Sequence, residues 1–212
     1  MINNRHYRKL HDLFNFDLSN IRSPKILEFG VSERGVSTDF FFKYCKNNNG
    51  NLYSVDTKDY SFRHNDIQWH FINSRDDNFN FIDAQIPKEL DVIYLDTIHK
   101  ANHIEKIFFH YYPRLKKDGF FLVDDTSWLP YLKTSEKNHF YMERNNEESF
   151  QRILEIFYPN RDNFDLEFSF VGTGLAKIRK LNKNTLNKPQ KIRSRKYNFI
   201  NIFRLIYNFF YE

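Results

Sequence analysis

Short apolar runs, separated by turn residues and by longer amphipathic stretches, set the pattern of this chain. A run of four to six residues that is rich in apolar side chains has the length of a buried strand. Five such strands are predicted, at residues 26–29, 51–56, 67–72, 91–96 and 120–123. The stretches 36–46 and 100–116 carry apolar residues at helical spacing. Strands that alternate with helices predict a mostly parallel sheet with right-handed crossovers.

The two ends of the chain depart from this alternation. Apolar positions in residues 5–15 indicate an N-terminal helix, and residues 147–158 predict an amphipathic helix that ends before Pro159. The segments 166–171 and 175–178, on either side of two glycines, predict a hairpin. The predicted fold is therefore α/β, a Rossmann-like, doubly wound, mostly parallel sheet with a C-terminal antiparallel hairpin strand. It divides the chain into an N-terminal helical segment, a central domain, and a basic linker with an amphipathic helix, at residues 1–24, 25–180 and 181–212.

A turn that contains two glycines joins the first strand to the first helix. Gly30 ends the apolar run, and Gly35 stands where the helix is predicted to begin. The backbone N–H groups of such a turn form a cradle, and glycine lets a ligand approach the backbone closely. Ser37 and Thr38 are expected to cap the helix with their side-chain oxygens, and Glu28 can accept hydrogen bonds from an amine or a hydroxyl. The alternative is an ordinary strand–turn–helix with two turn glycines.

Acidic residues close four of the predicted strands. They are Glu28, Asp56, Asp96 and Asp124. Because ligands of parallel sheets bind beyond the carboxyl ends of the strands, these carboxylates should share one rim. The carboxylate of Asp56 could take both hydroxyls of a ribose there. The alternative for Asp56 is an aspartate that opens a turn.

Three carboxylates are predicted to meet at the ends of the fourth and fifth strands. They belong to Asp96, Asp124 and Asp125. Oxygen ligands of this kind suit a hard divalent cation such as Mg²⁺. The cation would hold a substrate hydroxyl and lower its pKa. The alternative is a set of solvated turn aspartates.

The composition of the chain bounds its setting. A single cysteine, Cys45, excludes an internal disulfide. The first residues show no apolar signal stretch, and no segment reaches the roughly 20 apolar residues that a membrane span needs. We therefore expect a cytoplasmic protein.

The basic charge of the chain belongs to its C-terminal tail. Residues 177–212 hold ten Lys or Arg and one acid, and the rest of the chain is net acidic. A polybasic stretch, 188–196, precedes residues 197–211, of which eleven in fifteen are apolar. This combination suits the anionic inner face of a membrane, to which residues 188–212 would bind peripherally. The alternatives are that the helix docks on its own domain or on a second subunit, or that the tail binds RNA.

From Glu28 to Ser37 the chain reads E-x-G-x-x-x-x-G-x-S, which resembles motif I of class I S-adenosylmethionine (SAM) methyltransferases. A dinucleotide-binding loop would show G-x-G-x-x-G instead. The sequence most resembles the macrocin O-methyltransferase-like branch, which methylates sugars, and this resemblance covers residues 25–180. It implies SAM as the methyl donor, held by Glu28, Gly30, Gly35, Ser37, Asp56, Ser74 and Asp96.

The same resemblance implies a metal site and a base. In that family the metal is held by an aspartate after the fourth strand and an aspartate pair after the fifth, here Asp96, Asp124 and Asp125. The family reads D-G-D-H after the fourth strand and its second acid is the proposed base, but here Ile98 takes that place. His99 could accept the proton instead, because histidine titrates near neutral pH, so His99 and Asp96 are the predicted catalytic residues. His99 and His103 could alternatively be metal ligands.

Two hypotheses about function follow. The first is a SAM-dependent, metal-assisted O-methyltransferase for a sugar hydroxyl of a glycolipid, polysaccharide or secondary metabolite. The chain has no Pro-Pro pair, as an enzyme that methylates nucleic-acid amines would have after its fourth strand, so nucleic acid is not the expected acceptor. The second is a catalytically inactive methyltransferase-fold module at a membrane or in an assembly, which Ile98 favours.

Residues 126–146 lack a clean period and are either a substrate-facing insertion or a long surface loop.

Overall fold

The computed structural model describes residue 10, residues 21–126, residues 140–193 and five helical residues near the C-terminus, at 202, 203, 206, 207 and 210. The predicted N-terminal helix over 5–15 lies outside the described residues except for Leu10, which is helical and buried. Residues 127–139 of the predicted insertion also lie outside them.

Seven strands and four helices make up the described domain. The strands are β1 (Lys25–Phe29), β2 (Asn51–Asp56), β3 (Trp69–Asn73), β4 (Leu90–Leu95), β5 (Leu115–Asp124), β6 (Phe164–Ser169) and β7 (Leu175–Lys180). The helices are α1 (Val36–Asn47), α2 (Phe79–Asp83), α3 (Ala101–Tyr111) and α4 (Phe140–Phe157). Short 3-10 turns follow α3 and α4, at Tyr112–Arg114 and Tyr158–Asn160.

The strands form one sheet in the order β3-β2-β1-β4-β5-β7-β6. The first five strands along the chain pair in parallel, while β7 is antiparallel to both β5 and β6. The structure therefore confirms the predicted α/β fold, with its mostly parallel sheet and its antiparallel C-terminal hairpin.

Alternate residues of each strand face the two sides of the sheet, and each side packs a separate apolar core. Leu27 and Phe29 of β1 lie in the larger core. Ile26 of the same strand lies in the smaller core, with Phe41 and Cys45 of α1. Every residue of β4 is buried, as expected for the centre of a parallel sheet that is covered on both faces. The rigid centre of the sheet thus fixes the ends of β1, β4 and β5, where the acidic residues lie.

Three element boundaries differ from the sequence prediction by several residues. The helix predicted over 100–116 ends at Tyr111, and β5 begins at Leu115 rather than at residue 120. Pro113 lies in the 3-10 turn between them, and proline cannot continue a helical hydrogen-bond ladder. The helix predicted from residue 147 begins earlier, at Phe140. Its first two turns are mostly polar, so they carry no apolar period.

The chain after β7 is hydrogen-bonded to the end of α4 and to the 3-10 turn that follows it. We call residues 181–193 the C-terminal strap, and they form neither helix nor strand. The backbone N–H of Asn187 donates to Oδ1 of Asn160 at 2.7 Å, and that of Gln190 donates to the carbonyl of Glu155 at 2.9 Å. These bonds hold the strap against the domain.

No helix in the described part of the chain is long and apolar enough to cross a bilayer.

Candidate active site

Gly30 brings the end of β1 against the end of β4. Its φ of 91° lies in the left-handed region, which favours glycine. A Cβ at Gly30 would lie 2.0 Å from the carbonyl oxygen of Asp96. The backbone of Asp96 therefore occupies the space that any side chain at position 30 would need.

Gly35 makes room for an arginine that the sequence analysis did not single out. A Cβ at Gly35 would lie 2.0 Å from the guanidinium carbon of Arg63. Arg63 comes from the loop between β2 and β3, donates to the carbonyl of Glu33 at 2.8 Å and pairs with Asp39 at 3.2 Å. The loop has no periodicity, so nothing in the sequence pattern connects Arg63 with the glycine turn.

The predicted capping of α1 by Ser37 and Thr38 is wrong. Gly35 is the N-cap residue and no side chain caps the helix. The Oγ of Ser37 instead donates to Oε1 of Glu28 at 2.6 Å. Ser37 and Thr38 lie inside the first turn of α1, past the N-cap position from which a side-chain oxygen can accept from the first N–H groups of the helix.

Glu28 is fully buried beneath the glycine turn. Its other carboxylate oxygen accepts a 2.8 Å hydrogen bond from Ser54, whose Oγ also accepts from the Trp69 indole. Burial raises the pKa of Glu28 from the ordinary 4.5 to about 7, and the bonds from Ser37 and Ser54 offset part of that rise. The carboxylate thus joins β1, β2 and α1 from inside, and its contact with a donor molecule stays a prediction.

Asp56 is held at the mouth of the glycine turn by backbone donors. Its Oδ2 accepts from the N–H of Val31 at 2.9 Å, and its Oδ1 accepts from the N–H of Lys58 at 2.9 Å. The N–H of Ser74 donates to the Asp56 carbonyl at 2.9 Å. Oδ2 also receives a longer hydrogen bond of 3.4 Å from the N–H of Ser32, while Oδ1 keeps a second lone pair. Asp56 can therefore still accept from a ribose hydroxyl, and Ser74 lies beside it.

A second cluster lies at the ends of β4 and β5. The Nε2 of His99 lies 3.5 Å from Oδ1 of Asp96 and 3.4 Å from Oδ2 of Asp125. All three side chains are partly exposed. The structure thus brings together His99 and two of the three predicted metal-binding aspartates. Since a carboxylate only accepts, the nitrogen that faces both carries the hydrogen, which leaves Nδ1 as the proton acceptor.

Asp124 faces the interior and binds Tyr94, a residue that the sequence analysis did not single out. The Tyr94 hydroxyl donates to Oδ2 of Asp124 at 2.7 Å and lies 3.3 Å from Oδ2 of Asp96. Burial, together with the charges of Asp124 and Asp96, raises the pKa of Tyr94 well above its ordinary value. Tyr94 therefore stays protonated and links the two aspartates.

The two histidines proposed as a ligand pair face different carboxylates. The Nε2 of His103 lies 2.6 Å from Oδ2 of Asp76, which also accepts from Thr97 at 2.5 Å. His99 faces Asp96 and Asp125 instead. Asp76 lies in the loop after β3, so this contact ties that loop to the start of α3. The structure does not support a shared metal site for His99 and His103.

The donor atoms of the β4–β5 cluster suit Mg²⁺ in chemistry but are not arranged around a common point. Carboxylate oxygens are the ligands that Mg²⁺ prefers. Within residues 21–126 and 140–193, however, no group of three or more His, Cys, Asp or Glu side chains could hold a metal ion as placed. His99 lies between Asp96 and Asp125, and Asp124 is bonded to Tyr94. A metal site here would require His99 or Asp124 to turn.

Comparisons with known proteins find similarity to methyltransferases in sequence and in fold. Residues 27–126, a little under half of the chain, match the sequence model of a family described as Methyltransferase domain. This region is therefore similar in sequence to a methyltransferase domain. It spans β1 to the end of β5 and contains both the glycine turn and the β4–β5 cluster. None of the curated proteins compared with the chain matches it.

Solved structures that resemble the chain carry the class I methyltransferase fold. A protein from Staphylococcus aureus described as a caffeoyl-CoA O-methyltransferase has a TM-score of 0.60 and 16% identity, over 85% of both chains. The MycE methyltransferase of the mycinamycin biosynthetic pathway, in complex with Mg and SAH, has a TM-score of 0.58 and 16% identity. That match covers 87% of this chain and 50% of MycE, so this chain spans half the length of MycE.

A third structure, the SAH-bound methyltransferase PaMTH1 of Podospora anserina, has a TM-score of 0.55 and 15% identity, over 75% of this chain and 73% of that one. At such identities the likeness shows a shared fold. The described domain thus has the class I methyltransferase fold that the sequence predicted.

Proposed function

We propose that this chain is a SAM-dependent O-methyltransferase that acts on a sugar hydroxyl, as in the macrocin O-methyltransferase-like branch. The contact between Gly30 and Asp96 carries the proposal. The turn that would hold the methyl donor and the residues that would deprotonate the acceptor are backbone neighbours. A methyl transfer needs this closeness, because the acceptor oxygen must lie in line with the methyl carbon of SAM.

The donor would lie between the glycine turn and the end of β2. The N–H groups of Val31 and Ser32 already point toward the Asp56 carboxylate, so the turn and the carboxylate are fixed relative to each other. Asp56 would accept from a ribose hydroxyl, and Ser74 would lie beside the adenine. Glu28 would hold the turn in position for the donor, through the hydrogen bonds that it accepts from Ser37 and Ser54.

His99 is the proposed base. Its Nδ1 would take the proton from the acceptor hydroxyl while the oxygen attacks the methyl carbon and the carbon–sulfur bond breaks. The products are a methyl ether, S-adenosylhomocysteine and a protonated imidazole. Asp96 and Asp125, within 3.5 Å of Nε2, would stabilise that positive charge.

We also propose that Mg²⁺ assists the reaction, with Asp96, Asp124 and Asp125 as its ligands. When bound, the cation would lower the pKa of the acceptor hydroxyl. The carboxylate chemistry and the Mg named in the MycE complex support this proposal. The three residues would reach Mg²⁺ only after His99 has left the space between Asp96 and Asp125, so metal binding and the pairing of His99 with both carboxylates are alternative arrangements of this cluster.

A non-catalytic methyltransferase-fold module is the second candidate. The observation that favours it is Ile98, which is 43% exposed at the position where the resemblance places an acidic base. The cluster at the ends of β4 and β5 opposes it, because a module without catalytic activity has no need for these charges. In that cluster Asp124 is buried and hydrogen-bonded, and His99 faces Asp96 and Asp125.

Methyl transfer from labelled SAM decides between the two candidates. The full chain is incubated with methyl-labelled SAM and a panel of sugars, glycans and glycolipids, and the products are tested for alkali-stable methyl ethers. Label in a hydroxyl-bearing acceptor, lost in the His99→Ala variant, supports the enzyme. Binding of SAM without transfer to any acceptor supports the module, and a failure to bind SAM contradicts the enzyme.

A further inference from the structure

The C-terminal strap presents cations on a fixed path. Gln190 and Ile192 donate backbone hydrogen bonds to Glu155 on α4, and these bonds hold the strap along the helix. Lys188, Lys191 and Arg193 alternate with the bonded residues and are exposed. The strap therefore carries a short row of positive charges that is held on the domain.

The sequence extends this row. Residues 188–196 contain five Lys or Arg and no acid. The chain up to residue 176 is net acidic, so the row is not a continuation of a basic domain surface. A concentrated cluster of this kind attracts an anionic surface more strongly than scattered charges do.

An apolar helical face follows the basic row in sequence. Its described residues are helical and between 45% and 73% exposed, at Ile202, Phe203, Ile206, Tyr207 and Phe210. Successive members are one or three positions apart, a spacing that places residues on one side of a helix. Three aromatic and two aliphatic side chains on one side have the composition of a helix that lies in the headgroup region of a bilayer.

We propose that the described residues of this tail dock the protein on an anionic lipid bilayer, with Lys188, Lys191 and Arg193 on the headgroups and the exposed helical residues at 202, 203, 206, 207 and 210 in the interface. The charge complementarity favours an anionic bilayer over the tail of a second copy of the chain, because two tails with the same dense positive charge repel each other. The net acidic domain would be held away from the same surface. Docking of this kind does not depend on the proposed methyl transfer, and its test does not measure transfer.

Vesicle co-sedimentation of the full chain tests the proposal. Vesicles of equal parts phosphatidylcholine and phosphatidylglycerol are compared with vesicles of phosphatidylcholine alone, at low and at physiological salt. We expect binding to the anionic vesicles, weaker at higher salt, and little binding to the neutral ones. Equal binding to both compositions, or no binding to either, overturns the proposal.

Two variants separate the contribution of charge from that of apolar contact, and the first of them has a matched control. The variant Lys188→Glu/Lys191→Glu/Arg193→Glu should bind anionic vesicles on the order of a hundredfold more weakly. Lys43→Glu/Lys88→Glu/Lys117→Glu carries the same charge change on exposed lysines of the domain and should bind much as the original does. If both triple variants lose binding equally, net charge alone is responsible and the docking site is wrong.

The second variant is Ile202→Ser/Ile206→Ser, which should also lose vesicle binding while its unfolding midpoint stays unchanged. A lower midpoint would mean that the helix covers its own domain. A change from dimer to monomer, measured by light scattering, would mean that the helix binds a second copy. Retained binding to RNA but not to vesicles would assign the surface to nucleic acid, and each of these three results overturns the proposal.

Discussion

Ser37 donates a 2.6 Å hydrogen bond to the fully buried carboxylate of Glu28, and so joins the first turn of α1 to the middle of β1. This bond lies directly beneath the glycine turn. It connects the titration of one buried acid with the stability of the fold around the proposed donor site.

The first prediction concerns the pH dependence of stability. The pKa of Glu28 is about 7 in the folded protein, against an ordinary value of 4.5. The folded state therefore binds the Glu28 proton more tightly than the unfolded state does, and the free energy of unfolding falls as pH rises from 4.5 through 7. The Glu28→Gln variant, which cannot ionise, should lack this fall, which is on the order of 3 kcal/mol.

Urea unfolding at pH 5 and at pH 8 measures the effect. Glu33→Gln is the matched control, because Glu33 lies on the surface of the same turn and pairs with Lys58. If Glu28→Gln keeps the same pH dependence as the original protein, then Glu28 is not the group responsible.

The second prediction concerns the two glycines of the turn. In Gly30→Ala the new Cβ meets backbone, the carbonyl of Asp96, whereas in Gly35→Ala it meets the flexible Arg63 side chain. Both positions have a positive φ, so both variants should lose stability. Gly30→Ala should lose more than Gly35→Ala does, and its free energy of unfolding should fall by about 2 kcal/mol or more. It should also lose SAM binding.

Calorimetric unfolding and SAM titration measure both effects. Adding Arg63→Ala should recover part of the stability lost in Gly35→Ala and none of that lost in Gly30→Ala. Equal losses in the two single variants would contradict the assigned contacts.

The third prediction concerns the donor site at Asp56. Asp56→Ala should weaken SAM binding by about 1.5–3 kcal/mol, which is the contribution of a hydrogen bond to a charged group. Titration calorimetry measures the change. Asp59→Ala removes a nearby exposed aspartate of the same loop and should leave SAM affinity as it was. A stronger affinity for NADH than for SAM would contradict the donor assignment.

The fourth prediction concerns the base. His99→Ala should lower kcat by about 10²–10⁴, the usual contribution of a general base, and leave SAM affinity unchanged. His70→Ala is the control, because His70 is an exposed histidine on the edge strand β3. Asp125→Asn should lower kcat less than His99→Ala does. Unchanged turnover in His99→Ala between pH 6 and pH 8 would remove His99 from the mechanism.

The fifth prediction concerns the metal. Chelation should stop turnover and Mg²⁺ should restore it, and calorimetry should detect Mg²⁺ binding to the full chain. Asp124→Asn should lose that binding, while Asp118→Asn, near the other end of β5, should keep it. Full turnover after chelation would leave His99 and its two carboxylates as the whole of the catalytic cluster.

The fold could be predicted because the strands of this sheet are short and strongly apolar. The runs that became β1, β2 and β4 were placed to within one residue at each end. The five residues of α2 were missed, since so short a helix has no measurable period. The ends of α3 and α4 were misplaced where the local sequence is polar or contains proline, because periodicity reports apolar burial rather than backbone hydrogen bonding.

The site could be predicted where its residues stand at strand ends. Asp96, His99 and Asp125 are close together in sequence or at adjacent strand ends. The structure places Nε2 of His99 within 3.5 Å of a carboxylate oxygen of each aspartate. Arg63 and Tyr94 could not be found in this way. Arg63 reaches the glycine turn from a distant loop, and a tyrosine inside an apolar strand has the pattern of an ordinary core residue.

The position of β7 has a consequence for how the protein forms. β7 is the last strand of the described chain, yet it lies between β5 and β6. As the chain emerges from the ribosome, β6 therefore has no described strand to pair with, and β5 keeps an open edge until β7 arrives. Asp124 of β5 pairs with Leu175 of β7, so its backbone gains this partner only when the last described strand has joined the sheet.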